Sequence, residues 1–270
     1  MSVKDMLKER LEDTLTESEL GKLPSGYQKI GDIIILKLKE GLPEEEIAKI
    51  LLDQIPNTRS VCKYTGEIKG EFREPQVEVL AGDENMETIH KEHGCRYKFD
   101  ISKIMWSKGN LKERMRLANL VEDDEVIIDM FAGIGYFSVP IGVHSKPEIV
   151  YSVEKNPVAF KYLKENVILN KIQDKIKPFN GDCSDVVPGL DVEADRVIMG
   201  ILPSPKEHIS AAMKVLKEGG ILHYEGTSEE PEELIEEVEE RVKRNFEVNN
   251  VSNVKSYAPN VYHYTLDLRF

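Results

Sequence analysis

Apolar and polar positions divide the chain into two textures. From about residue 125 onward, short apolar runs recur at 125–129, 149–154, 176–180, 196–199, 220–224, 246–251 and 261–270, with helical patterns at 137–142, 157–170, 206–217 and 231–245 between most of them. Strand-length apolar runs alternating with helical segments predict a parallel sheet covered by helices. The last two runs have no helical pattern between them, so an antiparallel edge is expected. Before residue 90 the pattern is shorter and more mixed. Residues 1–20 predict a polar helix, ended by Leu23-Pro24-Ser25-Gly26-Tyr27. Residues 30–36 read as a strand, and 42–52 as a helix whose Pro43 and glutamates suit its first turn. Short strands are expected at 60–63, 77–80 and 97–100. The expected organisation is a small α+β domain over 1–90 and a seven-stranded α/β domain over 91–270.

Composition narrows this picture. A chain of 270 residues with 40% hydrophobic and 31% charged residues can bury a large core, and it is neither disordered nor membrane-like in composition. No apolar run approaches the roughly 20 residues a bilayer span needs, and the first ten residues are mixed-charge, unlike a signal peptide. Cys62, Cys95 and Cys183 lie far apart and cannot all pair, which suits a reducing cytoplasm. With 36 Lys+Arg against 49 Asp+Glu, the net charge of −13 argues against a surface coated for general polyanion binding.

The strongest chemical signal is Val126-Ile127-Ile128-Asp129-Met130-Phe131-Ala132-Gly133-Ile134-Gly135-Tyr136-Phe137. A buried strand runs into a loop whose glycines let backbone approach a ligand without a Cβ in the way. Phe131 and Gly133 are the loop residues expected against that ligand. Glu154, at the end of the second strand, suits the two hydroxyls of a ribose. Asp182, after the third strand, suits an adenine amino group, with the Cys183 amide donating to the ring. Each element is weak alone. Three at successive strand ends point to an adenosine-containing cofactor, and the missing third glycine of the dinucleotide fingerprint favours S-adenosylmethionine. The strand and helix order resembles the class I methyltransferase fold.

Upstream stands Ser107-Lys108-Gly109-Asn110-Leu111-Lys112-Glu113-Arg114. This run, followed by the glycine loop, resembles the archaeal and eukaryotic enzymes that modify guanosine-37 of tRNA. One branch methylates N1 of guanine-37. The other, the wybutosine-synthesising branch, transfers the 3-amino-3-carboxypropyl group of S-adenosylmethionine to 4-demethylwyosine in the anticodon loop of tRNA(Phe), releasing 5′-methylthioadenosine. The resemblance implies that Ser107 and Arg114 touch the methionine end of the cofactor, on the segment joining the domains. A helix start, with Ser107 or Asn110 as cap and Arg114 on a solvated face, is the bland alternative. At the fourth strand end, the methyltransferases resemble Asn-Leu-Pro. Here Gly200-Ile201-Leu202-Pro203-Ser204 lacks that amide and resembles the aminocarboxypropyl branch. No general base is assigned, and positioning is the expected source of catalysis. N1-methylation of guanosine-37, small-molecule methylation and a non-catalytic tRNA-binding role remain as alternatives. No membrane and no obligate protein partner is inferred.

Other candidates carry less. His90, His93 and Cys95 are ligand types without a fourth at standard spacing, so no metal site is expected. Cys183 has no identifiable partner base for a nucleophilic role. Tyr257, Tyr262 and Tyr264 interleave with Lys255 and His263 in a pattern able to stack on nucleotides, but Tyr262 and Tyr264 are expected to pack. Residues 229–240 read as a solvated acidic helix face and hold eight of the acids. Residues 59–116 hold 12 Lys+Arg against 10 Asp+Glu, and 155–177 six Lys against two acids. The acidity is therefore concentrated away from the expected site, which implies weak non-specific RNA affinity and specificity resting on the modified base.

Overall fold

A computed structural model of the chain describes residues 2–66 and 70–270. It divides into two compact units, Met1–Glu92 with Arg96–Trp106, and His93–Cys95 with Ser107–Phe270. The division falls later than the expected boundary at 90, because the strand after the His93–Cys95 turn pairs back on its predecessor and leads to Trp106, whose ring packs on His90, Tyr97 and Phe99 at 4.8–5.2 Å.

The first unit contains α1 (Val3–Leu11), α2 (Glu17–Lys22), β1 (Gln28–Ile30), β2 (Ile33–Leu36), α3 (Glu44–Gln54), β3 (Ser60–Tyr64), β4 (Val77–Gly82), β5 (Glu87–Glu92) and β6 (Cys95–Asp100). The helix expected over 1–20 is two helices. Ser2 and Thr16 each accept from the amide three residues on, while Asp5 and Glu19 reach back, so a new start is written into residues 16–19. The strand expected over 30–36 is a hairpin, turned at Gly31 with φ +56°. β2 and β3 are parallel across α3, whose Ile47, Ala48 and Leu51 cover the sheet with Leu7 and Leu11 of α1. β5 was not expected. Its sequence, Glu-Thr-Ile-His-Lys-Glu, buries only Thr88 and leaves Ile89 exposed.

The second unit contains α4 (Leu111–Leu120), β7 (Val126–Asp129), α5 (Ser138–His144), β8 (Ile149–Glu154), α6 (Pro157–Leu169), β9 (Ile176–Asn180), α7 (Cys183–Val186), β10 (Ala194–Met199), α8 (Ile209–Val215), β11 (Leu216–Ser228), α9 (Pro231–Glu239), β12 (Glu247–Ala258) and β13 (Val261–Arg269). The seven-stranded sheet has the order β12-β13-β11-β10-β7-β8-β9. β11 through β9 run parallel, and β13 is antiparallel to both neighbours, as the missing helix before it implies. The order reverses between β7 and β10, and in such sheets the crevice beyond the strand ends at that point receives ligands. Two helices end earlier than their patterns suggest. α8 stops at Val215 because β11 begins at Leu216, and α9 stops at Glu239. Among the described residues, no helix is long and apolar enough to cross a membrane.

One face of the β11–β13 pair carries buried charge where a core is ordinarily apolar. Arg116 of α4 forks onto Glu113 at 2.6–3.0 Å and reaches Asp267 of β13 at 2.5 Å. His223 Nδ1 lies 2.7 Å from the same Asp267, its Nε2 3.2 Å from Glu113, and His263 pairs with Glu225 at 3.2 Å. Buried charges persist only when paired in this way. Burial alone would lower the His223 pKa, but Asp267, Glu225 and Glu113 overcome it and raise it to about 9. Burial would raise Glu225, but His223 and His263 hold it down to about 2.

The imidazolium of His223 therefore stabilises the fold in full below its unfolded pKa of 6.5, and that contribution is lost as pH climbs through about 9. Glu225 contributes in full above 4.5 and loses its contribution as pH falls through about 2. Urea denaturation is expected to give its highest midpoint between these inner limits and a lower one at pH about 9.5. His223→Gln should flatten the alkaline side of the profile; an identical profile in that variant contradicts the assignment.

Candidate cofactor site

The loop after β7 is tied to the end of β8. Gly133 N donates to Glu154 Oε2 at 2.7 Å, and Asn156 N donates to Oε1 at 2.7 Å, so this carboxylate joins the glycine loop to the start of α6. Gly133 and Gly135 have φ of +58° and +97°, in the left-handed region. A Cβ on Gly133 would lie 2.6 Å from the Tyr136 ring, and one on Gly135 2.5 Å from Val139. Burial raises the Glu154 pKa against its backbone hydrogen bonds. Burial also lifts Asp129, which accepts from Ser138 Oγ at 2.6 Å, to about 6.

Asp182 caps α7 through Ser184 N at 2.9 Å and meets Lys155 at 3.3 Å. These bonds hold its carboxyl below the usual range, with Ser184 contributing most. Cys183 is buried beside it, and His208 Nδ1 lies 3.3 Å from its Sγ and 2.7 Å from Ser184 Oγ. The Phe131 ring stands edge-on to His208 at 5.2 Å. The structure thus gives Cys183 an imidazole neighbour that the sequence did not reveal, 25 residues away. Burial pushes the thiol up to about 12, which leaves the sulfur protonated and without nucleophilic character.

Ser107 and Arg114 come together in the structure. Ser107 Oγ accepts from Gly109 N at 3.3 Å, so the capping alternative is correct for the serine. It fails for Arg114, which is 3% exposed. The guanidinium donates to the Ser107 carbonyl at 3.1 Å and lies 4.8 Å over the Tyr136 ring, beside the glycine loop. Lys255, from β12, donates to Ser107 Oγ at 3.2 Å.

Gly200 lies against Phe137, whose Cε2 would be 2.6 Å from an added Cβ, and that ring lies 6.0 Å from the His223 ring in an edge arrangement. Ser204 is anchored to Tyr224 at 3.0 Å and to Glu237 at 2.5 Å. The acidic helix α9 is therefore not wholly a solvated face, since Glu237 turns inward to this loop. Tyr264 packs as expected, while Tyr262 and Tyr257 are exposed by 36% and 45%. His90 lies in β5, where its Nδ1 accepts from Gly31 N at 3.2 Å, and the His93 carbonyl lies 2.7 Å from His144 Nε2.

The strand order, the Cβ-free loop and the acids closing successive strands define a domain of the class I methyltransferase fold, with a site whose residues fit S-adenosylmethionine. Residues 88–252 match the family model of the TRM5/TYW2 methyltransferase domain, and residues 7–85 match that of the TYW2 N-terminal domain. The chain belongs to the TRM5/TYW2 family. It is 45% identical over 251 residues to a Methanocaldococcus jannaschii protein named tRNA(Phe) (4-demethylwyosine(37)-C(7)) aminocarboxypropyltransferase, covering 90% of this chain and 97% of that protein. The crystal structure of P. horikoshii TYW2 in complex with MeSAdo superposes with a TM-score of 0.85 at 36% identity, covering 98% of both chains. A complex of aTrm5 and tRNALeu gives 0.84 at 33% identity, over 100% of this chain and 78% of that one.

Gly200→Asn forces the Phe137 ring out of its place. Overpacking of this kind costs about 1–3 kcal/mol, so the melting temperature is expected to fall by several degrees. A variant with the wild-type melting temperature would show that the ring has room to turn.

Proposed function

We propose that this chain transfers the 3-amino-3-carboxypropyl group of S-adenosylmethionine to 4-demethylwyosine at position 37 of tRNA(Phe), in the anticodon loop. The observation that carries this reading is Gly200: where the methyltransferase branch resembles Asn-Leu-Pro, the backbone here lies against Phe137 with no side-chain amide to act on a base. The naming of the 45%-identical relative supports it. Cys62, Cys95 and Cys183 are buried and none is in a disulfide, which suits a reducing compartment, the cytoplasm.

The donor supplies a sulfonium whose adjacent carbons accept a nucleophile as the C–S electron pair returns to sulfur. What the chain contributes is position. Glu154, preset by the Gly133 and Asn156 amides, takes the ribose hydroxyls. Asp182 and the Cys183 amide take the adenine edge, with Phe131 and Gly133 lining the loop side. Ser107 and Arg114 hold the methionine end, and its orientation decides whether Cγ or the methyl carbon faces the base.

With donor labelled separately in the methyl and carboxypropyl carbons, only the carboxypropyl label is expected in the tRNA, the methyl label remaining in 5′-methylthioadenosine. Methyl label in the RNA refutes the reading. Arg114→Ala should weaken donor binding by about tenfold or more, as loss of a charge-assisted bond predicts; calorimetry showing unchanged affinity would remove Arg114 from the methionine end.

A further inference from the structure

Lys255 belongs to the outermost strand, yet its side chain is aimed inward by an irregularity of pairing. Asn253 pairs with Tyr264 and Lys255 with His263, so Val254 is an extra residue in β12. A one-residue bulge moves the following side chains to the opposite face. In unbroken register Lys255 would oppose Tyr262. With the bulge it shares the face of His263 and Asp267, the face on which α4 places Glu113 and Arg116.

There the lysine stem crosses Gly109. A Cβ on that glycine would lie 2.5 Å from Lys255 Cδ and 2.6 Å from its Nζ. Gly109 is not in the left-handed region, so backbone conformation does not account for it. Passage of the lysine does. The ammonium ends 3.2 Å from Ser107 Oγ, and Arg114 reaches the Ser107 carbonyl at 3.1 Å. Two cations, 141 positions apart in sequence, converge on one serine. Arg114 is 3% exposed, so an anion shared by both is a small one that enters the cleft, such as a carboxylate, rather than a phosphate of a polymer lying on the surface.

We infer that Lys255 is a donor-binding residue: with Arg114 it takes the α-carboxylate of S-adenosylmethionine, and Gly109 is the gap that admits it. This rests on the reading that Ser107 and Arg114 hold the methionine end. The piece that moves in the reaction carries this carboxylate, so a grip on it is a grip on the transferred group itself.

Calorimetry on the full chain tests the assignment with three probes: S-adenosylmethionine, its decarboxylated analogue, and 5′-methylthioadenosine, which lacks the whole arm. Lys255→Met is expected to weaken S-adenosylmethionine about tenfold to a hundredfold, the range of a charge-assisted bond. The other two probes should bind as to the unaltered chain. Lys255→Arg should recover part of the loss, and Gly109→Ala should reproduce the Lys255→Met pattern by displacing the ammonium. Equal weakening of all three probes would mean a structural role, and unchanged binding of all three no role; either overturns the assignment. Loss of tRNA affinity alone would assign Lys255 to a phosphate and overturn it as well. The readout is binding, so it holds whichever carbon is transferred. If Arg114→Ala leaves donor affinity intact, the methionine-end reading fails; if only Lys255→Met does, Lys255 alone is misassigned.

Discussion

The second unit depends on one half-buried guanidinium held between two buried carboxylates. Arg116 lies three residues from Glu113 on α4, so both face the sheet, and through Asp267 and His223 they fix the helix against β11 and β13. Arg114, between them in sequence, is thereby turned toward Ser107 and Tyr136. Replacing such a cluster with apolar side chains often stabilises a protein, whereas removing one partner leaves a buried charge uncompensated. What the cluster provides is direction, because paired charges fix the rotation of a helix that apolar contacts alone would leave freer to slide.

Legibility in the sequence followed physical period. The sheet was readable because each central strand is a continuous apolar run between helical patterns, and the antiparallel edge because no such pattern separates 246–251 from 261–270. Glu154 and Asp182 could be picked out as candidates because one ends β8 and the other follows β9 as the cap of α7, where the fold delivers side chains to a crevice. What escaped were contacts made across the sequence. His208 beside Cys183, Glu237 beneath Ser204 and Lys255 on Ser107 join segments 25 to 148 residues apart, and nothing in local pattern marks them. The division of the first helix was readable in principle from Thr16 and Glu19, a capping pair inside a segment whose overall polarity suggested one helix.

The charge distribution is likewise finer than its total. α9 carries a run of glutamates, yet Glu237 is drawn in to bind Ser204 and Tyr224, with Lys206 at 3.6 Å. The acidic helix thus supports the Gly200–Ser204 loop from behind, while cations reach the candidate residues from α4, from β12 and, through Lys155, from the end of β8. Net charge described neither arrangement.

The state of Cys183 has a chemical consequence beyond packing. A sulfonium donor alkylates soft nucleophiles, and a thiolate is the softest that a protein offers. Cys183 has an imidazole 3.3 Å away, a pairing that in another environment would ionise the sulfur. Here burial pushes the thiol up to about 12, so at neutral pH the sulfur stays protonated. Burial thus leaves this cysteine unreactive toward alkylation despite its imidazole neighbour.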